Sequence, residues 1–381
     1  MTDVYQAAQK VRETAIPFTT CFILSTMKSI DALQIVFVMA FLPFTASFTL
    51  TTRITKNGAA ILTRRMRPLT ENSRIRLFST AASDTTTEAK IMQDVLYRVR
   101  AVNHMPEEIR NNLLDFVVDD IVLGKVRPNT ANLLCSVDQT NPVFTLKESP
   151  GGSSYITLTP EAGTTPESRT ESVNRIMANL RDQGIVRGWR EEDYPVRKSF
   201  YEETLFGVER AAASLLGIME YGVHINGIVT SDDGTPKMWI GRRAADKSKY
   251  PGMLDHIVAG GQPVGLSLLE NVVKECKEEA GVPEEITLAG LQATGAISYE
   301  TYSERNDHVT RCVLFCYDLH LPADFVPVPV DGEVQDFFLW DVDQIKASMD
   351  PEFSDPIKPN CYPVIIDYLM RCGHFASDTK G

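Results

Sequence analysis

Glu275, Glu278 and Glu279 are three and four positions apart, the spacing that brings side chains together on one face of an α-helix. Three crowded carboxylates repel one another, so without a cation the arrangement costs stability. Mg2+ supplies the compensation: it is a hard ion that takes oxygen ligands, keeps several waters and is often completed by substrate phosphate. The chemistry to expect is cation-assisted attack of water on phosphorus. Taken alone, the triplet is equally compatible with a solvated acidic face.

The elements that position it are legible on both sides. Leu268 to Ala280 is expected to be helical, with Gly281 and then Pro283 as an ordinary helix stop. Leu269, Val272, Val273, Cys276 and Ala280 form an apolar stripe facing a core, and the three glutamates are expected on a different face. Gly260 and Gly261 precede the helix.

This spacing resembles the Nudix box: glycine, five residues, glutamate, seven residues, arginine-glutamate, an aliphatic, any residue, two glutamates, any residue, glycine and an aliphatic. Gly260, Glu275, Cys276, Glu278, Glu279, Gly281 and Val282 match or nearly match. Leu266 stands where the family has glutamate and Lys274 where it has arginine, which puts the usual bracing in question more than metal binding. Glu270, four before Lys274, is expected to offer a replacement pair worth about 0.3 to 0.5 kcal/mol. Tyr221-Gly-Val-His, Met253 to Gly261, Gly295-Ala-Ile-Ser-Tyr and Lys358-Pro-Asn-Cys extend the resemblance to a thiamine-pyrophosphokinase-related Nudix group, found in fungi and as plant plastid proteins with an extra N-terminal domain.

The resemblance implies an α/β class, a Nudix α/β/α sandwich with a mixed sheet preceded by a small α+β domain. It implies hydrolysis of diphosphates, oxidised thiamine diphosphate among them, to the monophosphate. Glu275, Glu279, Glu278 and the Gly260 carbonyl are then the expected ligands of Mg2+, with Mn2+ as the alternative, and Glu278 and Glu279 the catalytic carboxylates. Glu333 is expected as the late acidic residue that completes the site, with Asp336 second. Kinase activity is not implied, because no Gly-x-x-x-x-Gly-Lys-Ser/Thr loop is present. Competing readings are a hydrolase of another nucleoside-diphosphate compound and a noncatalytic ligand-binding module.

Arg242, Arg243, Lys247 and Lys249 precede the box and are candidates for holding the outer phosphate, against the plainer reading of a solvated basic loop. Tyr221, His224, Trp239 and Tyr299 are candidates for stacking on an aromatic portion of the substrate, although most strand aromatics are core. Cys312 and Cys316 sit in an apolar strand and read as buried thiols rather than a metal pair.

The chain has 381 residues, 43% hydrophobic and 23% charged, with mean hydropathy -0.12, which places it in the ordinary globular class. A net charge of -12 and pI near 5.1 argue against a nucleic-acid polymer as partner and leave a small diphosphate allowed. The seven scattered cysteines imply no disulfide framework.

Three segments are expected: 1–88 a targeting presequence or disordered extension, 89–206 an N-terminal α+β domain, and 207–375 the Nudix domain. The apolar run from Ile35 to Phe44 is too short to span a bilayer and suits a signal segment. Between Ala46 and Ser83, seven basic residues face one acidic residue, Glu71, in a hydroxyl-rich stretch suited to a transit peptide. Read from Met27 this order resembles a bipartite plastid presequence, and from Met66 a mitochondrial one; a cytoplasmic location is the alternative. The mature protein is expected to be soluble, without a membrane span.

Within 91–206, a helix carrying Val95 and Val99, strands around Leu113–Val118, Ile121–Leu123 and Ser154–Thr159, and a helix from Glu167 to Asp182 with Val173, Ile176, Met177 and Leu180 at helical spacing are expected, followed by a linker holding Trp189 and Tyr194-Pro-Val that could contact the next unit. The second unit should hold a Tyr221–Val229 and Lys237–Arg243 hairpin and strands over 288–298, 309–320 and 334–340. A closing helix over 363–371 completes it.

Overall fold

The computed structural model describes residues 85–375 and, before them, only the backbone of four strands, β1 (Cys21–Ile23), β2 (Leu33–Met39), β3 (Phe48–Ile54) and β4 (Ala60–Ile61). Most of the presequence expected over 1–88 therefore falls outside the described residues. Among the described residues no helix is long and apolar enough to cross a membrane.

Helix α1 (Thr85–Val102) and the short α2 (Glu107–Asn111) lead into a sheet ordered β6-β5-β8-β7. Its strands are β5 (Leu114–Val118), β6 (Ile121–Val126), β7 (Phe144–Glu148) and β8 (Ser154–Leu158). Asp119 and Asp120 both take positive φ between β5 and β6, as a tight two-residue hairpin requires. Helix α3 (Pro128–Ser136) precedes β7. Helix α4 (Pro166–Asp182) starts at a Thr165–Ser168 capping box and buries Val173, Ile176, Met177 and Leu180, the four residues whose spacing marked its inner face. Strands β9 (Asp193–Val196) and β10 (Phe206–Glu209) form a separate hairpin, and a short helix α5 (Ala213–Leu216) follows.

The second unit is built on β11 (Met219–Thr230), β12 (Pro236–Arg243), β13 (Leu254–His256), β14 (Val258–Gly261), β15 (Leu291–Ser303), β16 (His308–His320) and β17 (Val334–Asp341). The order is β13-β12-β11-β16-β15, with β14 also on β11 and β17 on β12. β11 and β16 run parallel while the other pairs are antiparallel, which makes the sheet mixed. Helix α6 (Leu268–Ala280) and the short α7 (Glu284–Gly290) lie toward one face, where Val223, Ile225, Tyr317 and Leu319 meet Val272, Cys276 and Ala280. Helices α8 (Val342–Ala347) and α9 (Tyr362–Arg371) belong to the other, where Ile228, Met238 and Ile240 meet Ile345, Ile365 and Leu369. The expected α/β/α sandwich is thus present.

Two expectations change. The segment at Leu288 is helical, and Leu288 is half exposed; the strand begins at Leu291, because the turn-forming Pro283 starts α7 instead of a loop. Helix α1 packs Val95 into the core of the second unit, and Arg98 lies 4.3 Å from the Tyr362 ring while donating to the carbonyls of Ser348, Met349 and Asp350. The carbonyls at the end of α8 thereby gain a cationic donor.

Candidate active site

Helix α6 enters through a capping box in which Ser267 accepts from the Glu270 amide and Glu270 accepts from the Ser267 amide at 2.8 Å. Gly281, at φ 62°, ends it in the left-handed conformation. Leu269, expected on the apolar stripe, is 39% exposed. Glu279 takes a buried place instead, only 7% exposed, because it follows Val272 by seven residues and so lies nearly two whole turns along the same line of the helix. The three glutamates therefore do not share one exposed face. Glu279 is buried, Glu275 is half-buried and Glu278 is exposed.

The Glu279 Oε2 accepts the Ala259 amide at 3.0 Å. Burial, followed by the neighbouring Glu275 charge, raises its pKa well above the ordinary carboxylate range. Glu275 is also raised, first by burial. Its carboxyl lies against the bare Cα of Gly260, where a Cβ would come within 2.4 Å of Cδ. A side chain at 260 would therefore displace the Glu275 carboxyl. Gly222 is close too: a Cβ there would lie 3.0 Å from the Gly260 carbonyl oxygen.

Lys274 bonds Glu275 at 3.2 Å and Glu278 at 2.8 Å, and these carboxylates outweigh desolvation to raise its pKa. The expected Glu270–Lys274 pair does not form, since Glu270 is occupied by the cap. Bracing of the loop before α6 comes from residues the sequence reading did not single out. Asn271 donates to the Gly261 carbonyl at 2.8 Å, and Gln262 donates to the carbonyl of Leu266 at 2.7 Å. The Leu266 position thus acts through its backbone.

After burial and the Glu275 and Asp255 charges, that of Glu333 adds to the raised pKa of Glu279. Burial raises the pKa of Glu333 itself, but Lys247 outweighs that and holds it below the ordinary value; Arg190 lies 3.9 Å away. Asp336 pairs in register with Arg242 across β12 and β17. Arg242 forks onto Asp355, with Nη1 3.0 Å from Oδ1, and also donates to the Gly252 carbonyl. Arg243 donates to Asp255 at 2.8 Å and to the carbonyls of Lys249 and Tyr250. Both arginines are committed to folding the β12–β13 connection, which leaves the exposed Lys249 as the freer phosphate candidate.

The β9–β10 hairpin closes one side of the site. Tyr194 occupies the space a side chain at Gly261 would need, with its hydroxyl 2.0 Å from the position of a Cβ. The Asp193 carbonyl accepts the Val264 amide at 3.0 Å. Arg210, paired with Glu192 at 2.6 Å, lies within electrostatic reach of both Glu275 and Glu333. The stretch expected as a linker able to contact the next unit, Trp189 to Val196, does so through strand β9.

Behind the carboxylates lies a second cluster. Asp255 accepts from Arg243, Lys358 and the Cys361 thiol, and its pKa is strongly depressed by Lys358 and Arg243 despite burial. His224 and His256 approach at 3.0 Å between Nδ1 atoms, and burial lowers His256 to about 4. His224, His256 and Cys361 offer donor atoms within 4.8 Å of one another. Two cations, Lys358 and Arg243, adjoin that group, whereas the α6 cluster is acidic. A hard divalent cation fits the oxygen-rich carboxylates of α6. Of the stacking candidates, Tyr221 packs on Phe200 and Phe315, and Tyr221, His224 and Trp239 are all buried. Tyr299 alone keeps partial exposure.

A mixed sheet between helices, with Glu279 buried and Glu275 half-buried on a helix entered through adjacent glycines, is an arrangement suited to metal-assisted hydrolysis of an acid anhydride. Residues 220–361 match the NUDIX domain and residues 94–220 match the Domain of unknown function (DUF4743). Nudix hydrolase 20, chloroplastic, of Arabidopsis thaliana is 41% identical over 293 residues, covering 74% of each chain. Nudix hydrolase 24, chloroplastic, of the same plant is 38% identical, covering 82% of this chain and 80% of its own. An uncharacterized protein of Saccharomyces cerevisiae is 36% identical, covering 51% of this chain and 58% of its own. The chain belongs to the Nudix hydrolase family, whose members cleave diphosphate linkages in small molecules and generally use divalent metal ions.

Proposed function

We propose that the protein hydrolyses the diphosphate of thiamine diphosphate derivatives, oxidised forms included, to the monophosphate with Mg2+, and that Mn2+ substitutes. The observation that carries this reading is the burial of Glu279 beside Glu275 with only the Ala259 amide for compensation, an arrangement a cation would stabilise. Glu275 and Glu279 hold the ion with Glu278 and the Gly260 carbonyl. When bound, the ion supplies charge neutralisation at phosphate oxygens and a more acidic water. Glu278 is a further ligand or orients the attacking water, Glu333 completes the acidic set, and Lys249 holds the outer phosphate. The segment boundaries, 1–88, 89–206 and 207–375, follow the same reading. The plastid naming of the plant relatives supports plastid import here.

Incubation of the full chain with Mg2+ and a panel of intact and oxidised thiamine diphosphate, ADP-ribose, NADH and 8-oxo-nucleotides tests the reading. Release of a monophosphate is expected first from the thiamine compounds. Faster cleavage of any other member sinks the thiamine assignment.

A further inference from the structure

Two cations from different parts of the chain meet at Glu333. Lys247, in the β12–β13 connection, pairs with its Oε2, and Arg190, in the turn before β9, holds Nη1 3.9 Å from its Oε1. Backbone bonds fix Glu333 beside the acidic helix. The Val328 amide donates to the Ala280 carbonyl and the Asp331 amide to the Glu278 carbonyl, each at 3.1 Å. Asp331 Oδ1 then accepts the Glu333 amide at 2.8 Å, and the Glu333 carbonyl accepts the Ala244 amide at 2.9 Å. The side chains of Arg190 and Glu333 are each 39% exposed, so a solute in water can reach both.

Arg190 is held in place from beneath. Glu209, only 1% exposed, accepts the Arg190 amide on Oε1 at 3.1 Å and the Glu191 amide on Oε2 at 2.9 Å, and its Oε1 also takes the Ala211 amide at 3.0 Å. The turn needs such an anchor, because Glu191 stands at φ 57°, a left-handed conformation that a long side chain disfavours. Two residues on, the Asp193 carbonyl accepts the Val264 amide at 3.0 Å, which joins the same stretch to the loop entering α6. An exposed ion pair at the edge of contact contributes little to stability, so the pair with Glu333 does not by itself explain a buried carboxylate and a strained residue at this turn.

The neighbouring arginines are engaged elsewhere: Arg210 with Glu192 at 2.6 Å, Arg242 with Asp355 and Arg243 with Asp255. Arg190 instead shares one carboxylate with Lys247, and that carboxylate belongs to the acidic set. When Glu333 turns to a bound cation, Arg190 and Lys247 lose their anion, and diphosphate oxygens beside α6 can take its place.

We propose that Arg190, a residue of the N-terminal unit, binds the diphosphate of the substrate, exchanging Glu333 for phosphate oxygens with Lys247 beside it. A guanidinium presents a planar fork that matches two such oxygens at once. The hydrolytic site is then incomplete without the unit that precedes it. The inference rests on the hydrolase reading for the position of the diphosphate, but it is measured as binding, without turnover.

The test is calorimetric titration of methylenediphosphonate, which water cannot cleave, into the full chain with Mg2+, beside Mn2+ titration followed by electron paramagnetic resonance. Arg190→Ala should weaken the diphosphonate by about tenfold or more and change Mn2+ affinity by less than about twofold, since Arg190 touches the phosphate and not the ion. Arg190→Lys should recover part of the loss, because it keeps the charge without the fork, and it serves alone if the alanine variant does not fold. Were Arg190 only a clip onto Glu333, its removal would lower the melting temperature and leave diphosphonate affinity at the parent's value. That result, an equal loss of Mn2+ affinity, or parent affinity in Arg190→Lys with the alanine variant unfolded would overturn the proposal. Wild-type protein that binds no diphosphonate would overturn it together with the hydrolase reading. Failure of the hydrolase reading alone would appear as Arg190-dependent binding in a protein that releases no phosphate from any diphosphate.

Discussion

The carboxylate of Glu279 accepts the amide of Ala259 at 3.0 Å, tying the last turn of the acidic helix to the strand that carries Gly260. One bond thus fixes the distance between the helix and the glycine turn.

Glu279→Gln keeps the shape of this side chain and removes its charge. Turnover should fall by about two to four orders of magnitude, while the melting temperature without Mg2+ should hold or rise, since a buried charge next to Glu275 disappears. Activity and thermal melts measured on one preparation check both halves; a variant as active as the parent removes Glu279 from the chemistry.

Gly260→Ala places a methyl group inside the Glu275 carboxyl, 2.4 Å from Cδ. The overlap should push Glu275 away and weaken Mg2+ binding by about tenfold or more, at a stability cost of about 1 to 3 kcal/mol. Mn2+ titration followed by electron paramagnetic resonance reads the affinity, and unchanged binding would mean Glu275 is not a ligand.

The Lys274 ammonium pairs with both Glu275 and Glu278, two of the carboxylates proposed to hold the ion. Lys274→Ala should therefore tighten Mg2+ binding while lowering metal-free stability only slightly, by about 0.5 kcal/mol or less for so exposed an ammonium. Weaker binding in the variant would show that Lys274 supports the site instead of competing for it.

His256 is neutral at pH 7 and its folded pKa, about 4, lies below the unfolded value. The unfolded chain thus takes up a proton first, so this contribution to stability is complete above about pH 6.5 and is lost as pH falls toward 4. Its size is about 3 kcal/mol. His256→Gln should make the acid limb of stability shallower between those pH values, leaving the share carried by the adjoining His224, which burial and His256 also hold low, as urea melts across the range would reveal. A variant with the parent's slope there would refute the assignment.

Asp255→Asn removes the shared partner of Arg243 and Lys358, two cations with little access to water. Stability should drop by about 3 to 5 kcal/mol, measured by denaturant unfolding. A loss below about 1 kcal/mol would place those cations in a wetter setting than the one described.

The legible parts of the sequence were those governed by local rules. The end of helix α6 could be read because Gly281 and Pro283 act within a turn of it, and α4 because Val173, Ile176, Met177 and Leu180 repeat at helical spacing, whereas the Ser267 cap went unread. Spacing also placed Glu275, Glu278 and Glu279 together, but it could not grade their burial, which the sheet beneath Val272 decides. The commitment of Arg242 to Asp355 joins residues 113 positions apart, and that of Lys358 to Asp255 joins residues 103 apart. No periodicity encodes such pairings. The β9–β10 hairpin escaped notice for a related reason: Tyr194-Pro-Val and Phe206-Gly-Val are too short to alternate visibly, and their role is defined by what they touch.

That contact has a consequence for how the two halves of the molecule can change. Tyr194 fills the volume left by Gly261, and the Val264 amide depends on the Asp193 carbonyl, so the glycine turn is shaped partly by residues far upstream of its own motif. Grafting the acidic helix and its turn into another scaffold would carry the ligands across and leave their outer wall behind. Inheritance of the catalytic segment and the preceding hairpin is, for this protein, inheritance of a single part.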